Sequence, residues 1–299
     1  MNGILVIDKP QGITSHAVVG KVRRALGVKR VGHAGTLDPL ATGLLVVGVG
    51  SATRLIEYLQ AQDKGYVATF RIGLVTDSQD ITGTVVEECD CSAVRAAQIE
   101  NACSAFVGEI DQVPPMFSAL KRDGVPLYRL ARKGIEVERA SRRITISRLE
   151  VVDIAGNEVT IAVACSKGTY IRTLCHDIGA RLGCGGCMTS LRRVRSGAFD
   201  ESMAVSLEDV AAGRFTLLSA SAALADMPRF EVTQSGRARL ADGIPPRGDE
   251  IADFSAVDSG TTVQLVDADS LLAIASYDPE HQHDARGDFR LLKVFPGGI

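Results

Sequence analysis

The chain has 299 residues, of which 45% are hydrophobic and 23% are charged, and its formal net charge is −3. Length and composition predict a globular protein of about two domains with a full hydrophobic core. They exclude a polycation. They also exclude a protein with membrane-spanning helices, because no apolar run approaches the roughly 18 residues that such a helix needs.

Charge is distributed unevenly along the chain. Residues 1–40 carry six Lys or Arg against two Asp, and residues 121–148 carry nine bases against three acids. These stretches predict either surfaces that contact a polyanion or ordinary solvated faces.

The start of the chain and its seven cysteines favour the cytoplasm. The N-terminus, "MNGILVIDKP", lacks a basic region followed by an apolar one and so does not resemble a signal peptide. Free thiols are therefore expected. Cys184 and Cys187 have C-x-x-C spacing, which allows metal or redox use, but the two glycines between them more simply indicate a turn.

Hydrophobic patterning predicts strands that alternate with helices. Buried strands are expected at "GILVIDKP" and "GLLVVGVG". Between them "TSHAVVGKVRRALG" predicts a helix, capped by Thr14 or Ser15 and ended by Gly27. A short helix over "SATRLIEYLQ" precedes an alternating strand, "KGYVATFRIG". The polar "TDSQDITGTVVEE" then runs through turns into a further strand.

The next elements complete an α+β pattern. Residues 92–108 are predicted to be helical. "ITISRLEVVDI" and "NEVTIAVACS" alternate on either side of Gly156-Asn157 and predict a hairpin. Helices follow at "TYIRTLCHDIGARLG" and "SLEDVAA". Antiparallel strands with helices between them predict an α+β domain around one large sheet.

Two segments differ from this pattern. Residues 113–143 combine three prolines with a high density of bases, which predicts an excursion from the sheet that clamps an anionic partner. The composition changes again after Met227-Pro228. We therefore expect a small β-rich domain over residues 228–299, with turns at Gly236, Gly243 and Gly260.

The loop at residues 32–43, "GHAGTLDPLATG", carries a single acid, Asp38, among three glycines and a proline. A lone Asp is usually a cap or turn residue, but it can do covalent or general-base chemistry beside a cationic partner. Arg172, which follows a glycine turn at a helix start, is a candidate partner. Tyr66 and Tyr170 could hold a flat ring such as a nucleobase taken out of its stack, although either could equally be core filling.

These motifs resemble the pseudouridine synthase B family, the bacterial enzymes that modify uridine 55 of tRNA. The resemblance spans about residues 3–200, with Ala34 where the family often has Thr. It is carried in family order by "DKPQGITSH", "GHAGTLDPLATGLL", "DKGYVATFRIG", "TDSQDITG", "PPMFSALKRDGVPLYRLARKGIEV", "CSKGTYIRTL" and "LGCGGCMTSLRRVRSG". Residues 228–299 resemble, more diffusely, the small RNA-binding PUA module.

The resemblance implies an α+β catalytic domain over residues 1–227, with a mixed, mostly antiparallel central sheet, flanking helices and a cleft across its middle. It implies isomerisation of one uridine in the T-loop of tRNA: the base is flipped out, the C1′–N1 bond is broken, and a C1′–C5 bond is made. No cofactor, metal or membrane is implied, and we expect a cytoplasmic monomer. The segment 113–143 would close over the RNA.

Site roles are carried over from the family by position. Asp38 matches the catalytic aspartate, which either attacks C1′ or removes a sugar proton, and Arg172 matches the arginine that pairs with it and should keep it ionised. Tyr66 matches the aromatic residue that stacks on the uracil and assists proton removal at C5. Tyr170 matches the opposite wall of the pocket, and Leu191 matches a contact at its floor.

Four further residues are expected to contact or support the substrate. His33 matches the residue that occupies the space left by the flipped nucleotide, although a histidine beside glycine can also be a turn residue. Lys9 and Pro10 match a pair that supports the catalytic loop, and Thr36 is expected in the substrate site.

Three other functions agree less well with the sequence. A guide-dependent pseudouridine synthase in a ribonucleoprotein would share the "GTLDP" loop but should lack the basic insertion. An RNA-binding protein or chaperone without catalysis is disfavoured by the intact Asp38, Tyr66 and Arg172. A glycosidase needs two carboxylates at a defined separation, whereas the loop supplies one.

Overall fold

The computed structural model describes residues 1–252, 254–255, 257–280 and 287–299. The strands are β1 (Gly3–Lys9), β2 (Val31–His33), β3 (Thr42–Val49), β4 (Lys64–Ile72), β5 (Leu74–Thr76), β6 (Val85–Glu88), β7 (Gly108–Gln112), β8 (Lys121–Arg122), β9 (Val125–Pro126), β10 (Arg142–Ala155), β11 (Glu158–Cys165), β12 (Gly186–Ser196), β13 (Phe199–Asp200), β14 (Arg229–Val232), β15 (Ile251–Ala252), β16 (Thr262–Asp267), β17 (Ser270–Tyr277) and β18 (Phe289–Val294). The α-helices are α1 (Ser15–Leu26), α2 (Ile56–Ala61), α3 (Ala96–Ser104), α4 (Leu127–Ala131), α5 (Ile171–Arg181), α6 (Leu207–Ala211) and α7 (Gln234–Ala241).

A mixed sheet forms the centre of the fold, in the order β1-β3-β12-β4-β11-β10-β7, with β2 paired to β3 and β13 to β12. Its pairs are antiparallel except for β12 and β3, which run parallel. Helices α3 and α5 pack near β10 and β12. The predicted α+β class with a mostly antiparallel sheet is confirmed.

Local sequence signals explain where the early elements begin and end. The Thr14 hydroxyl accepts a hydrogen bond from the Ala17 N–H at 3.0 Å and so caps α1, which Gly27 ends at φ 65°. Ser15, the other candidate cap, is buried and instead contacts the loop that carries Asp38. The predicted hairpin is β10–β11, joined at Gly156 and Asn157.

Three predictions of secondary structure differ from the structure. Helix α3 is shorter than residues 92–108 at both ends, and β7 already begins at Gly108. Strand β12 was not predicted. Gly236 lies inside helix α7, which Thr233 caps, and not in a turn; glycine is needed there because a Cβ would lie 2.7 Å from the Glu250 carbonyl oxygen.

The segment 113–143 leaves the sheet after β7 and returns in β10. It contains the β8–β9 hairpin and α4, and it is anchored by Met116 and Leu127, which are buried. The expected excursion from the sheet is therefore present, and its base packs against the body of the protein.

A second sheet, β15-β14-β16-β17-β18, begins at Arg229. Its inner face shares one hydrophobic cluster with the central sheet. From the second sheet and the C-terminal segment come Val266, Leu271, Ile274 and Phe295, and from the central sheet Ile4, Val6, Leu44 and Val46. The C-terminal β domain is therefore packed directly onto the edge of the central sheet.

Candidate active site

A cleft of about 740 Å³ lies where the loop that carries Asp38, β4, β12 and the start of α5 meet the base of the insertion. Six of the predicted site residues line it, namely Thr36, Asp38, Tyr66, Tyr170, Arg172 and Leu191. Residues 118–120 of the insertion close one side. The structure thus brings together residues from six separate parts of the chain.

The loop around Asp38 is held by its backbone. Gly35 and Gly43 adopt φ values of 107° and 91°, which favour glycine. The buried Ser15 hydroxyl both accepts from the Leu37 N–H at 2.9 Å and donates to the Leu37 carbonyl at 3.0 Å. The residue before Asp38 is therefore fixed to the first turn of α1.

Asp38 forms an ion pair with Arg172. The Oδ2 atom lies 3.0 Å from Nε of Arg172, whose side chain is 5% exposed, whereas the Asp38 side chain is 37% exposed. The carboxylate is thus held from the protein side and remains open to the cleft.

Arg172 is itself fixed by groups that sequence analysis missed. Its Nη1 donates to the Ser78 carbonyl at 3.0 Å and lies 3.2 Å from Oδ2 of Asp80, and its Nη2 donates to the Phe117 carbonyl at 2.8 Å. Asp80 is buried and accepts further hydrogen bonds from Ser78 and Thr82. A second acid, absent from the loop, is therefore supplied by the segment between β5 and β6.

The pKa of Asp38 lies above its ordinary value. Burial raises it most, Arg172 and Lys9 lower it, and Asp80 raises it further. Arg172 and Lys9 therefore favour the ionised form of Asp38, as expected of the pairing, while desolvation of the carboxylate opposes them.

Tyr66 on β4 stands opposite Arg193 on β12. Arg193 is buried, at 1% exposure, and donates to the Leu44 carbonyl at 2.6 Å and the Gly35 carbonyl at 3.1 Å. The charge of Arg193 opposes the rise that burial causes in the pKa of the Tyr66 phenol. Arg193 therefore connects the Tyr66 ring to the catalytic loop.

Tyr170 precedes α5 and is fixed at its backbone. The buried Gln112 side chain accepts from the Tyr170 N–H at 2.8 Å and donates to the Tyr170 carbonyl at 3.0 Å. Burial raises the pKa of the Tyr170 phenol, and Ser118 of the insertion opposes that rise.

The remaining predicted residues have different positions. Leu191 is buried at the cleft and Thr36 is exposed beside Asp38. Lys9 is buried, and its Nζ donates to the carbonyls of Pro10 at 3.0 Å and Pro39 at 3.4 Å. Its pKa is lowered to about 8, mainly by burial. Lys9 and Pro10 thus lie behind the loop, not in the cleft.

His33, on β2, lies outside the cleft lining. Its Nδ1 is buried and has no hydrogen-bond partner among the residues that the structure describes. Burial, then Arg193 and His16, lower the pKa of His33. The side chain is therefore a neutral imidazole near neutral pH.

The cysteines and acids do not form a metal site in the described part of the chain. All seven thiols are free, and no described group of three or more His, Cys, Asp or Glu side chains could hold a metal ion. The turn between α5 and β12 lies at residues 182–184, just before the two glycines predicted to form it; Gly185 follows the turn with a positive φ, and Gly186 already belongs to β12. Within the described ranges, no helix has the length and apolar character of a membrane span.

Comparison with known proteins gives a consistent family. Residues 23–171 match the "TruB family pseudouridylate synthase (N terminal domain)", and residues 172–225 match the "tRNA pseudouridylate synthase B C-terminal domain". The chain is 50% identical to a tRNA pseudouridine synthase B of Syntrophotalea carbinolica, over 100% of this chain and 99% of that one. It is 44% identical to that of Geobacter sulfurreducens, over 99% and 100%.

Among solved structures, the chain resembles one described as "Structure of H/ACA RNP bound to a substrate RNA containing 2'-deoxyuridine". The TM-score is 0.75 and the identity 27%, over 98% of this chain and 84% of that one. The similarity extends through both sheets, because almost the whole chain is covered.

Proposed function

We propose that this chain, which belongs to the TruB family and is a tRNA pseudouridine synthase, acts on uridine 55 in the T-loop, with Asp38 as the catalytic carboxylate. The observation that carries this proposal is the ion pair of Asp38 and Arg172, which faces the cleft between two tyrosines. The RNA-bound structural relative supports an RNA substrate in this cleft.

The cleft fits a base removed from its stack. A flipped uracil would lie between the rings of Tyr66 and Tyr170, where stacking on an aromatic ring is worth about 1–3 kcal/mol per base. Leu191 would contact the base from the floor. His33 would occupy the space that the flipped nucleotide leaves in the RNA.

The chemistry needs one carboxylate that is ionised and correctly oriented. Arg172 holds Oδ2 of Asp38, and the other carboxylate oxygen would then act on the ribose, by attack at C1′ or by removal of a sugar proton. The Tyr66 phenol, close to the charge of Arg193, would assist proton removal at C5 after the uracil has turned and bonded through that atom. Lys9, Pro10 and Thr36 would hold the loop and the nucleotide in position relative to each other.

Two regions outside the cleft would add RNA contacts. Residues 113–143 would close over the bound loop, and residues 228–299 would act as a PUA-like RNA-binding domain. Three of that domain's arginines already pair with acids, as Arg229 does with Asp269, Arg237 with Asp267 and Arg239 with Glu250. Its contribution to phosphate binding should therefore be small. We further propose a cytoplasmic monomer that needs neither metal nor cofactor.

The test is to incubate the purified chain with an unmodified tRNA transcript and to map pseudouridine at single-nucleotide resolution. We expect modification at position 55 alone, without added guide RNA or partner proteins. Asp38→Asn should abolish it and leave tRNA binding intact. Modification at another position, dependence on a guide RNA, or an active Asp38→Asn variant would contradict the proposal.

A further inference from the structure

Helix α1 presents a basic face that the catalytic cleft does not use. Five side chains on α1 and in the segment after it are exposed, namely Lys21, Arg23, Arg24, Lys29 and Arg30. Within the described residues none of them forms an ion pair with a carboxylate, whereas the exposed Arg71, Arg143, Arg148 and Arg214 each do. None lines the cleft. Their charge is therefore available to an anionic partner.

The face is continuous with the candidate site at one end. Ser15, in the first turn of α1, hydrogen-bonds Leu37 beside Asp38, and the exposed His16 is within electrostatic range of His33. A helix rises about 1.5 Å per residue, so Lys21 and Arg24 lie roughly 9 and 14 Å from Ser15 along the helix axis.

Helix α1 also leaves room near Gly20 for the backbone of a bound partner to approach it closely. Gly20 lies in the middle of α1 with an ordinary helical φ, and a side chain added there would meet no atom within 4 Å. Glycine in an exposed helix interior is unfavourable relative to alanine, and packing within this protein does not require it. Ala17 and Gly20 leave a shallow strip beside Lys21. A groove of about 440 Å³, lined by Lys21, Arg24 and residues of α6, borders the same face.

Because no residue of α1 lines the cleft, a nucleic acid that touches this face must extend beyond the rim of the cleft. The cleft contains other basic side chains, such as Arg142 and Lys167, which would contact the T-loop of the RNA bound there. We infer that the α1 face, centred on Lys21, Arg24 and Gly20, binds the sugar-phosphate backbone of a part of the tRNA that lies outside the T stem-loop. This inference rests on the proposed tRNA substrate.

The experiment compares two RNAs, full-length unmodified tRNA and a 17-nucleotide T stem-loop. The test variant is Lys21→Gln/Arg24→Gln. The matched control is Arg71→Gln/Arg148→Gln, which removes two charges that pair with Glu158 and Glu150 far from α1. Dissociation constants are measured from 50 to 300 mM monovalent salt, and pseudouridine formation is measured in parallel.

For the test variant we expect full-length tRNA to bind at least about fivefold more weakly at low salt. The slope of log K against log salt should fall in magnitude by about 1.4–1.8, as expected for two lost phosphate contacts. Binding of the stem-loop and the single-turnover rate on it should equal those of the wild type and of the control. Unchanged tRNA binding, or an equal loss with the stem-loop, would overturn the inference.

A second variant tests whether the RNA backbone approaches α1 closely at Gly20, independently of the charges of Lys21 and Arg24. Gly20→Gln places a longer neutral side chain on the strip and replaces glycine with a better helix former. We expect a raised melting temperature together with weaker binding of full-length tRNA. A raised melting temperature with unchanged tRNA binding would contradict a backbone contact at Gly20. If the wild type binds tRNA but forms no pseudouridine at position 55, the proposed function fails and the contact is still decided by these variants.

Discussion

At the scale of single residues, the geometry around Asp38 determines how its reactivity depends on pH. Burial raises the pKa of Asp38, and Lys9, together with Arg172, opposes that rise. The active form is the carboxylate, so activity should fall as pH decreases through a pKa above the ordinary value of 3.8.

Lys9→Met should move this acidic limb to higher pH, because it removes a cation that stabilises the carboxylate. Single-turnover rates on tRNA between pH 4.5 and pH 8 provide the measurement, with circular dichroism at each pH as a control for unfolding. A limb that stays in place in Lys9→Met would mean that another group controls the acidic side of the profile.

Arg193 and its neighbour Arg192 offer a matched pair of substitutions. Arg193 is buried and links Gly35, Leu44 and Tyr66, whereas Arg192 is 37% exposed and pairs with Asp8 and Glu201. Lysine cannot satisfy several acceptors in the plane of a guanidinium. Arg193→Lys should therefore lower the single-turnover rate by about 10- to 100-fold through misplacement of Tyr66 and the loop.

Arg192→Lys should change rate and stability little, because exposed ion pairs contribute about 0–1 kcal/mol. Thermal melting of both variants shows whether the loss in Arg193→Lys follows from unfolding. Equal rates for the two variants would exclude a positioning role for Arg193.

At the scale of elements, the start of α5 depends on a side chain from the edge of the sheet. Gln112 is the last residue of β7, and its side chain makes two hydrogen bonds to the Tyr170 backbone. These bonds hold the residue before α5 against the edge of the sheet. Gln112→Leu would leave the Tyr170 N–H unpaired, at a cost of about 1–3 kcal/mol, whereas the Tyr170 carbonyl would still accept from the Leu174 N–H.

We expect Gln112→Leu to lower the catalytic rate more than tRNA affinity, because Tyr170 and Arg172 would lose their fixed position. Gln112→Glu, which keeps one acceptor, should have a smaller effect. Rates at saturating enzyme and separate binding titrations distinguish the two effects. A loss confined to affinity would assign Gln112 to RNA contact alone.

The elements that sequence predicted correctly have local causes. The cap and glycine of α1, the Gly156 turn and the alternation of β11 are all visible within a few residues. Strand β12 escaped prediction because bulges near Ser190 and Arg195 break its alternation, and because the buried Arg193 places a charge at a core position.

The candidate site likewise contains residues that local sequence identifies and contacts that depend on packing between distant segments. Asp38, Arg172 and the tyrosines were identified from their motifs, but nothing local reports that Asp80 and Phe117 also bind Arg172. Those contacts depend on how the β5–β6 segment and the insertion pack over α5. Likewise, the upward shift in the pKa of Asp38 follows from burial, which a sequence does not display.

At the scale of the whole molecule, the shared hydrophobic cluster ties the C-terminal sheet to the central one. Phe295 is 3% exposed and packs in this cluster, and the Arg54 guanidinium lies 4.7 Å from its ring centre. Phe289 is equally buried but belongs to a cluster of the C-terminal sheet alone.

Phe295→Ala should destabilise the chain by about 3–5 kcal/mol, as is usual for large-to-small changes in a core. It should also speed hydrogen exchange in β1 and β3, whereas Phe289→Ala should act mainly on β14 to β18. Deleting residues 228–299 should lower the melting temperature of the remaining chain for the same reason. Unchanged exchange in β1 and β3 would show that the two sheets are energetically independent.

The place of β12 between β3 and β4 has a consequence for how the protein is made. Residues 42–72 leave the ribosome well before residues 186–196, which must insert between the two strands that those earlier residues form. At about 5–20 residues per second, the gap lasts on the order of ten seconds. During that time both strand edges have no partner and are open to pairing with another chain. We therefore expect the nascent protein to be most prone to aggregation before β12 has been synthesised.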